Sequence, residues 1–488
     1  MSTNVGASGG PEHTGLRAGA LGLFEDTVAS VANVAPSSTV AFTLALLVSF
    51  AGLASPLAVL VAGILMLLCA AGYSRFNDWT AHAGAPYVWL GAAVKPYIGY
   101  GLGIMAIVAC TAANIGNITL GGTYLLSGVI NPGGAFSNIV VWIVSAIFMA
   151  AVVFLAIRGI RPTIVVQMII IGVEYAIVIL FVILALNREI GGLAPGLHPP
   201  SLSEFAIGTS PNGFSGIADA GVICGFLYAG WEVPLILSEE TRKPNFNPGR
   251  GAILGVIFLT IWYTFLTMVF QGVAPQSQIL AHGTDVMAYA GTLLLPQPWA
   301  RLLPLAVFSA VFATTQMQLT ESARITYAMG RDGLLPRVFG KVHRAFQTPW
   351  IACLVLGVIP PLFLIPYLVS SAATTAIGYI ISADGMIYLV MYGAVALGCF
   401  WYYRKVLTSS FGNLLITGVA PVIGGLGVLA LFAFGLTTQT PQIAIVAGVL
   451  VVLCILSGFV MAVVMRDHPY FRQKPVAHEL TTPSQSVE

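Results

Sequence analysis

"SVANVAPSSTVAF", Ser30 to Phe42, is the stretch whose reading decides the fold. A mostly apolar run continues from it to Phe50, so the segment has the setting of a membrane-spanning helix. Yet its middle holds Asn33, Pro36, Ser37, Ser38 and Thr39. Pro36 lacks an amide hydrogen and clashes with the carbonyl four residues back. In hydrocarbon, non-helical backbone survives only where it is buried in protein or lines a watery cavity. The sequence therefore predicts a break, with Ser37, Ser38 and Thr39 as N-caps of a second half-helix. Unpaired amides and the positive dipole end of that half-helix would face the break and suit an anionic group such as a carboxylate. Carbonyls near Asn33 and Val34 would suit a cation. A plain proline kink, with the hydroxyls bonded back to their own helix, is the competing reading.

Composition sets the class. Of 488 residues, 57% are hydrophobic and only 8% charged, against about 25% charged in soluble proteins. That pattern fits an all-α polytopic membrane protein with the lipid bilayer as its surroundings. The formal net charge of +2 gives no reason to expect nucleic acid as a partner. The polar N-terminal stretch lacks the basic-then-apolar pattern of a cleavable signal, so the first span is expected to serve as its own insertion signal. Cys69, Cys110, Cys224, Cys353, Cys399 and Cys454 lie far apart in apolar runs and read as reduced, buried thiols. No catalytic constellation, metal motif or cofactor motif is found; the run Gly99-x-Gly101-x-Gly103 has no flanking strand and reads as close helix packing.

Apolar runs bounded by charge or turn residues give twelve expected spans: 27–50, 54–74, 98–127, 138–157, 163–186, 215–238, 250–273, 301–328, 349–369, 372–402, 413–435 and 441–465. With these bounds, seventeen of the twenty Lys and Arg residues fall on one side of the membrane. The positive-inside rule then puts both termini in the cytoplasm, in a plasma membrane. The expected organisation is a cytoplasmic tail (1–26), a first five-helix unit (27–186), an extracellular loop (187–214), a second unit (215–403), two accessory helices (404–465) and a disordered cytoplasmic tail (466–488).

The sixth span, "GIADAGVICGFLYAGWEVPLILSEETRKP" (Gly216 to Pro244), is also interrupted, by Gly225, Gly230 and Pro234. Breaks in spans one and six fall first in each five-span half, as in transporters built from inverted repeats. At this point the residues resemble the amino acid–polyamine–organocation (APC) superfamily over nearly the whole chain. "ESARITYAMGRDGLLPRVFGKVHRAFQTPW" (Glu321 to Trp350) is similar to that family's span eight and the loop after it. "HAGAPYVWLGAAVKPYIGYGLG" (His82 to Gly103) and "FLYAGWEVPLILSEETRKP" resemble two further family landmarks. The resemblance implies a 5+5 inverted-repeat, leucine-transporter-like core with discontinuous helices 1 and 6, and alternating access around a mid-membrane site. It places Pro36 to Thr39 near a substrate carboxylate and the backbone from Phe226 through Tyr228 and Ala229 to Gly230 near its amino group. Family members often carry Gly-Ser-Gly where this chain has "APSST".

Ionisable side chains inside spans are functional candidates. Glu174, in the middle of span five, is read either as the carrier of a coupling proton or as a neutral brace. Asp384 lines the pathway, binds a cationic substrate or braces a neighbour; Glu232 gates or pairs. Glu321 and Arg324, three apart, are expected to pair. Thr314 and Thr315 could complete an oxygen site for Na⁺ or bond neighbouring helices, and H⁺ ranks ahead of Na⁺ as coupling ion. Thr111 and Asn114 face the site or join helices; Tyr228 and Trp231 act as aromatic gates or pack. The leading expectation is a secondary transporter importing an amino acid, driven by protons. An amine or polyamine transporter and an amino acid exchanger are the alternatives, with a membrane enzyme or channel behind them. Oligomeric state is left open.

Overall fold

A computed structural model of the chain describes residues 15–192, 196–368 and 371–478. The outermost parts of both expected tails, 1–14 and 479–488, lie outside these residues. Among the described residues the fold is helical, with one isolated bridge, Leu21 to Thr241, and no strand.

The first half contains α1 (Leu23–Val34), α2 (Pro36–Ala51), α3 (Ser55–Trp79), α4 (Pro86–Ala93), α5 (Pro96–Thr123), α6 (Asn138–Arg158) and α7 (Ile160–Ile190). The second contains α8 (Gly213–Leu227), α9 (Val233–Ile236), α10 (Asn247–Gly272), α11 (Gln276–His282), α12 (Val286–Leu294), α13 (Leu302–Arg331), α14 (Trp350–Phe363) and α15 (Ser371–Tyr403). Then follow α16 (Phe411–Asn413), α17 (Ala420–Thr438), α18 (Pro441–Val464) and α19 (Pro469–Arg472). Proline opens α2, α5, α10 and α18, where its missing amide hydrogen removes no helical bond.

Among the described residues, nine stretches are long and apolar enough to cross a bilayer. The first runs from Leu23 to Trp79, 57 residues holding both of the first two expected spans. Two shorter apolar helices, Gly213–Leu227 and Trp350–Phe363, stand where the sixth and ninth spans are expected. Outward faces of α6, α7 and α18 carry exposed Ile147, Ile183 and Val452, as an apolar solvent requires. The centre is α13, which packs against α1, α2, α5, α6, α7 and α14. A Cβ on Gly99 would lie 2.3 Å from the Tyr87 carbonyl, and one on Gly101 2.9 Å from the Cys454 carbonyl. The glycine run thus lets α4 and α18 touch α5 backbone to backbone. All six cysteines are buried and unbridged.

The tail from Arg466 to His478 departs from the expected disorder. Its Val476 amide donates to the Ala92 carbonyl at 2.8 Å and its His478 amide to the Tyr402 carbonyl at 3.0 Å. Tyr470 donates to the Tyr87 carbonyl at 2.9 Å. Aromatic side chains in a short polar segment supply the apolar surface that its general composition conceals.

Candidate functional site

The first span is broken at a single residue. Ala35 has φ 47° and ψ 77°, a left-handed conformation, between the last residue of α1 and the first of α2. The hydroxyls do not cap α2. Ser38 Oγ donates to the Ala35 carbonyl at 3.1 Å, and Thr39 Oγ1 to the same oxygen at 3.0 Å. The cap comes from another helix: Glu174 Oε1, on α7, accepts from Ser37 Oγ at 2.6 Å and from the Ser37 amide at 3.2 Å. The Val34 carbonyl, expected to suit a cation, takes the Tyr263 hydroxyl at 3.1 Å.

The second break runs from Tyr228 to Glu232, between α8 and α9. Gly230 turns the chain with φ 104°, a conformation that L side chains resist. The two breaks are stitched together. Ser30 Oγ donates to the Trp231 carbonyl at 2.8 Å, and Asn33 Nδ2 to the Gly230 carbonyl at 2.8 Å. No hydrogen bond reaches the Tyr228 or Ala229 carbonyl among the described residues. One pocket thus has the first turn of α2 on one side and the unpaired Ala229 carbonyl on the other.

Its walls come from four places: Asn33, Val34, Ser38, Thr39 and Phe42 from the first break; Phe226 and Ala229 from the second; Ala113, Gly116, Asn117 and Leu120 from α5; Thr314 and Gln318 from α13. Free space is about 20 Å³, room for a water or two. Phe42 and Phe226, with ring centroids 5.3 Å apart, help fill it. Beyond Phe42, Gly116 and Leu120 opens a vestibule of about 990 Å³ that reaches Asp285 and Arg301 at one end of the molecule.

The other end, which carries the basic loops, is shut. Arg324 and Glu240, both 1% exposed, form a two-armed ion pair, with the Nη2 arm at 3.1 Å. The expected Glu321–Arg324 pair is therefore not formed: the guanidinium reaches the segment after α9 instead. Arg331 binds Glu239 at 2.9 and 3.1 Å and His82 Nε2 at 2.7 Å, and Tyr87 donates to Asp332. Burial pulls His82 below its usual value of 6.5. Burial alone would raise Glu239, but the charges and hydrogen bonds of His82 and Arg331 hold it below 4.5.

That arrangement has a pH sign. His82 titrates lower in the fold than in the unfolded chain, so its contribution is complete above about pH 6.5 and is lost as pH falls towards its folded value. Glu239 adds a loss only below the ordinary carboxylate range. Thermal stability of purified protein is expected to decline between pH 7 and 5, and His82→Asn should flatten that decline. An unchanged slope in the variant would remove His82 from the account.

The remaining sequence candidates are distributed as follows. Thr314 Oγ1 donates to the Ala32 carbonyl at 3.2 Å, while Thr315 Oγ1 and Thr111 Oγ1 each bond their own helix at 2.7 Å. Asn114, buried on α5, has an unpartnered Oδ1 among the described residues and does not line the pocket, nor do Pro36 or Ser37. Tyr228 donates to the Val59 carbonyl at 3.0 Å; Trp231 packs between Tyr73 and Tyr392, with centroids 5.0 Å from each. Glu232 Oε2 accepts from Tyr392 at 2.6 Å, and both Asp384 oxygens lack partners among the described residues. Sequence reading passed over Phe42, Ala113, Gly116, Asn117, Leu120 and Gln318. The α5 residues follow a helical i, i+3, i+4, i+7 spacing that an apolar span does not distinguish from packing.

Gly230→Ala tests the second break. The added Cβ would fall 2.6 Å from Asn33 Nδ2 in a left-handed conformation, a strain of about 1–3 kcal/mol. Ligand affinity is expected to fall roughly tenfold, as 1.4 kcal/mol dictates; a ligand-induced thermal shift equal to that of wild type would contradict it.

Comparison with known proteins agrees. The amino acid permease family model matches residues 21–464. The methylthioribose transporter of Bacillus subtilis is 24% identical over 350 residues, 70% of this chain and 73% of its own. The branched-chain amino acid permease BcaP of the same organism is 25% identical over 61% of this chain and 64% of its own. The vacuolar cationic amino acid transporter 4 of Arabidopsis thaliana is 24% identical over 61% and 50%. The chain belongs to the amino acid permease family, within the APC superfamily.

Proposed function

We propose that the protein is a secondary transporter that imports an amino acid by alternating access, coupled to protons. It crosses the plasma membrane twelve times as a 5+5 inverted repeat plus two helices, with both termini cytoplasmic. One observation carries the reading: Ser38, in the first turn of α2, and Ala229, whose carbonyl has no partner among the described residues, line one pocket between the paired helix breaks. An amide and helix N-terminus suit a carboxylate; carbonyls suit an ammonium. The vestibule at the far end and the ion-paired closure at the basic end support an outward-facing state with its pocket contracted. Glu174 is the group proposed to carry the proton, because it caps the half-helix that meets the substrate.

A second reading, transport of an amine, rests on Asp384, fully buried with both oxygens unpartnered among the described residues, near Glu232. Uptake of the twenty labelled L-amino acids and of putrescine into proteoliposomes, with and without an inward proton gradient, tests both readings. Gradient-dependent accumulation of an amino acid is expected. Uptake of putrescine alone would favour the second reading, and uptake of neither would defeat both.

A further inference from the structure

Helix α13 meets the end of α1 along one face. Thr314 donates to the Ala32 carbonyl, Gln318 lines the pocket, and Glu321 stands one turn further. These positions are four and three residues apart, so their side chains lie in one row. Glu321 is 1% exposed, and the nearby guanidinium of Arg324 is committed to Glu240. The partner of Glu321 is instead Asn33: Nδ2 donates to Glu321 Oε2 at 2.9 Å while its second hydrogen goes to the Gly230 carbonyl at 2.8 Å. Asn33 is fully buried and lines the pocket. Beyond Gly230 the connection continues, since the Gly230 amide donates to the Tyr392 hydroxyl at 2.8 Å.

An amide group has two hydrogens, and here each has one acceptor. With Glu321 fixing one, the other is aimed at Gly230, the residue whose left-handed φ sets the course of the second break. Without an acceptor at position 321, the Asn33 amide keeps only its bond to the Gly230 carbonyl and loses one of its two restraints. The spacing between the two breaks then loosens, and with it the distance between the groups that face the substrate.

We propose that Glu321 is a positioning residue: from α13 it orients Asn33, and through Asn33 it sets the separation of the two helix breaks around the substrate. The inference rests on the reading of this pocket as the amino acid site. It requires a hydrogen-bond acceptor at position 321 and makes no use of the charge.

Two substitutions separate those properties. E321Q keeps an acceptor oxygen and removes the charge; E321M keeps much of the volume and removes the acceptor. Both proteins, first checked for monodispersity and thermal stability, would be assayed for KM and maximal rate with the amino acid the wild-type protein takes up fastest. E321Q is expected to keep KM within about threefold of wild type. E321M should raise KM by roughly tenfold or more with a smaller change in maximal rate, the pattern of lost binding. A brace that merely supports the fold would lower the amount of active protein and leave KM alone, so an unchanged KM in E321M overturns the proposal. Equal rises in KM for both variants overturn it too, because charge would then be the property in use. Should E321M fail to fold, titration of E321Q with the same amino acid decides alone: near-wild-type affinity supports the proposal and a tenfold loss defeats it. Absence of any wild-type amino acid uptake would strike at the transporter reading itself and is visible before either variant is made.

Discussion

Glu174→Gln is expected to abolish accumulation driven by a proton gradient, at least tenfold, while leaving exchange of internal for external amino acid within about threefold. The reason lies in two roles held by one carboxyl group. Its Oε1 caps α2 by accepting from the Ser37 amide and hydroxyl, and its Oε2 has no partner among the described residues. A glutamine keeps the capping oxygen, so the half-helix that faces the substrate stays in place and exchange continues. What it lacks is a proton that comes and goes. Glu174→Ala removes the cap as well, at about 1 kcal/mol for the helix end, and strands the Ser37 groups in a buried place, at about 1–3 kcal/mol. That variant should lose both exchange and thermal stability. Parallel assays in proteoliposomes, one with a pH gradient and one with preloaded substrate, read the difference. Normal gradient-driven accumulation by the glutamine variant would leave Glu174 a brace alone.

The position of the first break was legible because Pro36 is a local fact: it lacks an amide hydrogen and its ring clashes with the carbonyl four residues back, so the helix must kink or break there. Gly230 and Pro234 marked the second break for the same kind of reason. What holds the breaks was not legible. The cap of α2 comes from a residue 137 positions away, and a cap supplied by another helix leaves no pattern beside the serine it serves. The hydroxyls of "PSST" suggested capping, yet Ser38 and Thr39 fall inside α2, past the cap position, and bond back to the Ala35 carbonyl. Spacing also misled at α13. Residues three apart on a helix attract each other by only a few tenths of a kcal/mol, too little to keep Arg324 from a buried, two-armed carboxylate 84 residues earlier. Glu321 was thereby freed for Asn33, a contact 288 residues apart that helical spacing could not suggest.

Arg324→Met is expected to be the most destabilising single change at the basic end. Removing the guanidinium leaves Glu240 charged, 1% exposed and without its counter-ion, and breaking a buried pair in this way costs about 3–5 kcal/mol. The Glu240 carbonyl also receives the Ala20 and Leu21 amides, at 2.7 and 3.1 Å. Movement of that carboxylate towards water would therefore pull the segment before α1 with it. Thermal unfolding of the purified variant should begin several degrees lower, and accumulation should fall because the closure opposite the vestibule no longer holds. The double variant Arg324→Met/Glu240→Leu separates the two consequences. With neither charge left, most of the lost stability should return, since a buried ion pair and a well-packed apolar pair are often equivalent in energy. The charge attraction across the closure stays absent, so a thiol reporter placed below it should be labelled faster than in wild type. Wild-type unfolding temperature in the single variant would show that Glu240 reaches solvent, and the ion pair would then have no claim to hold this end shut.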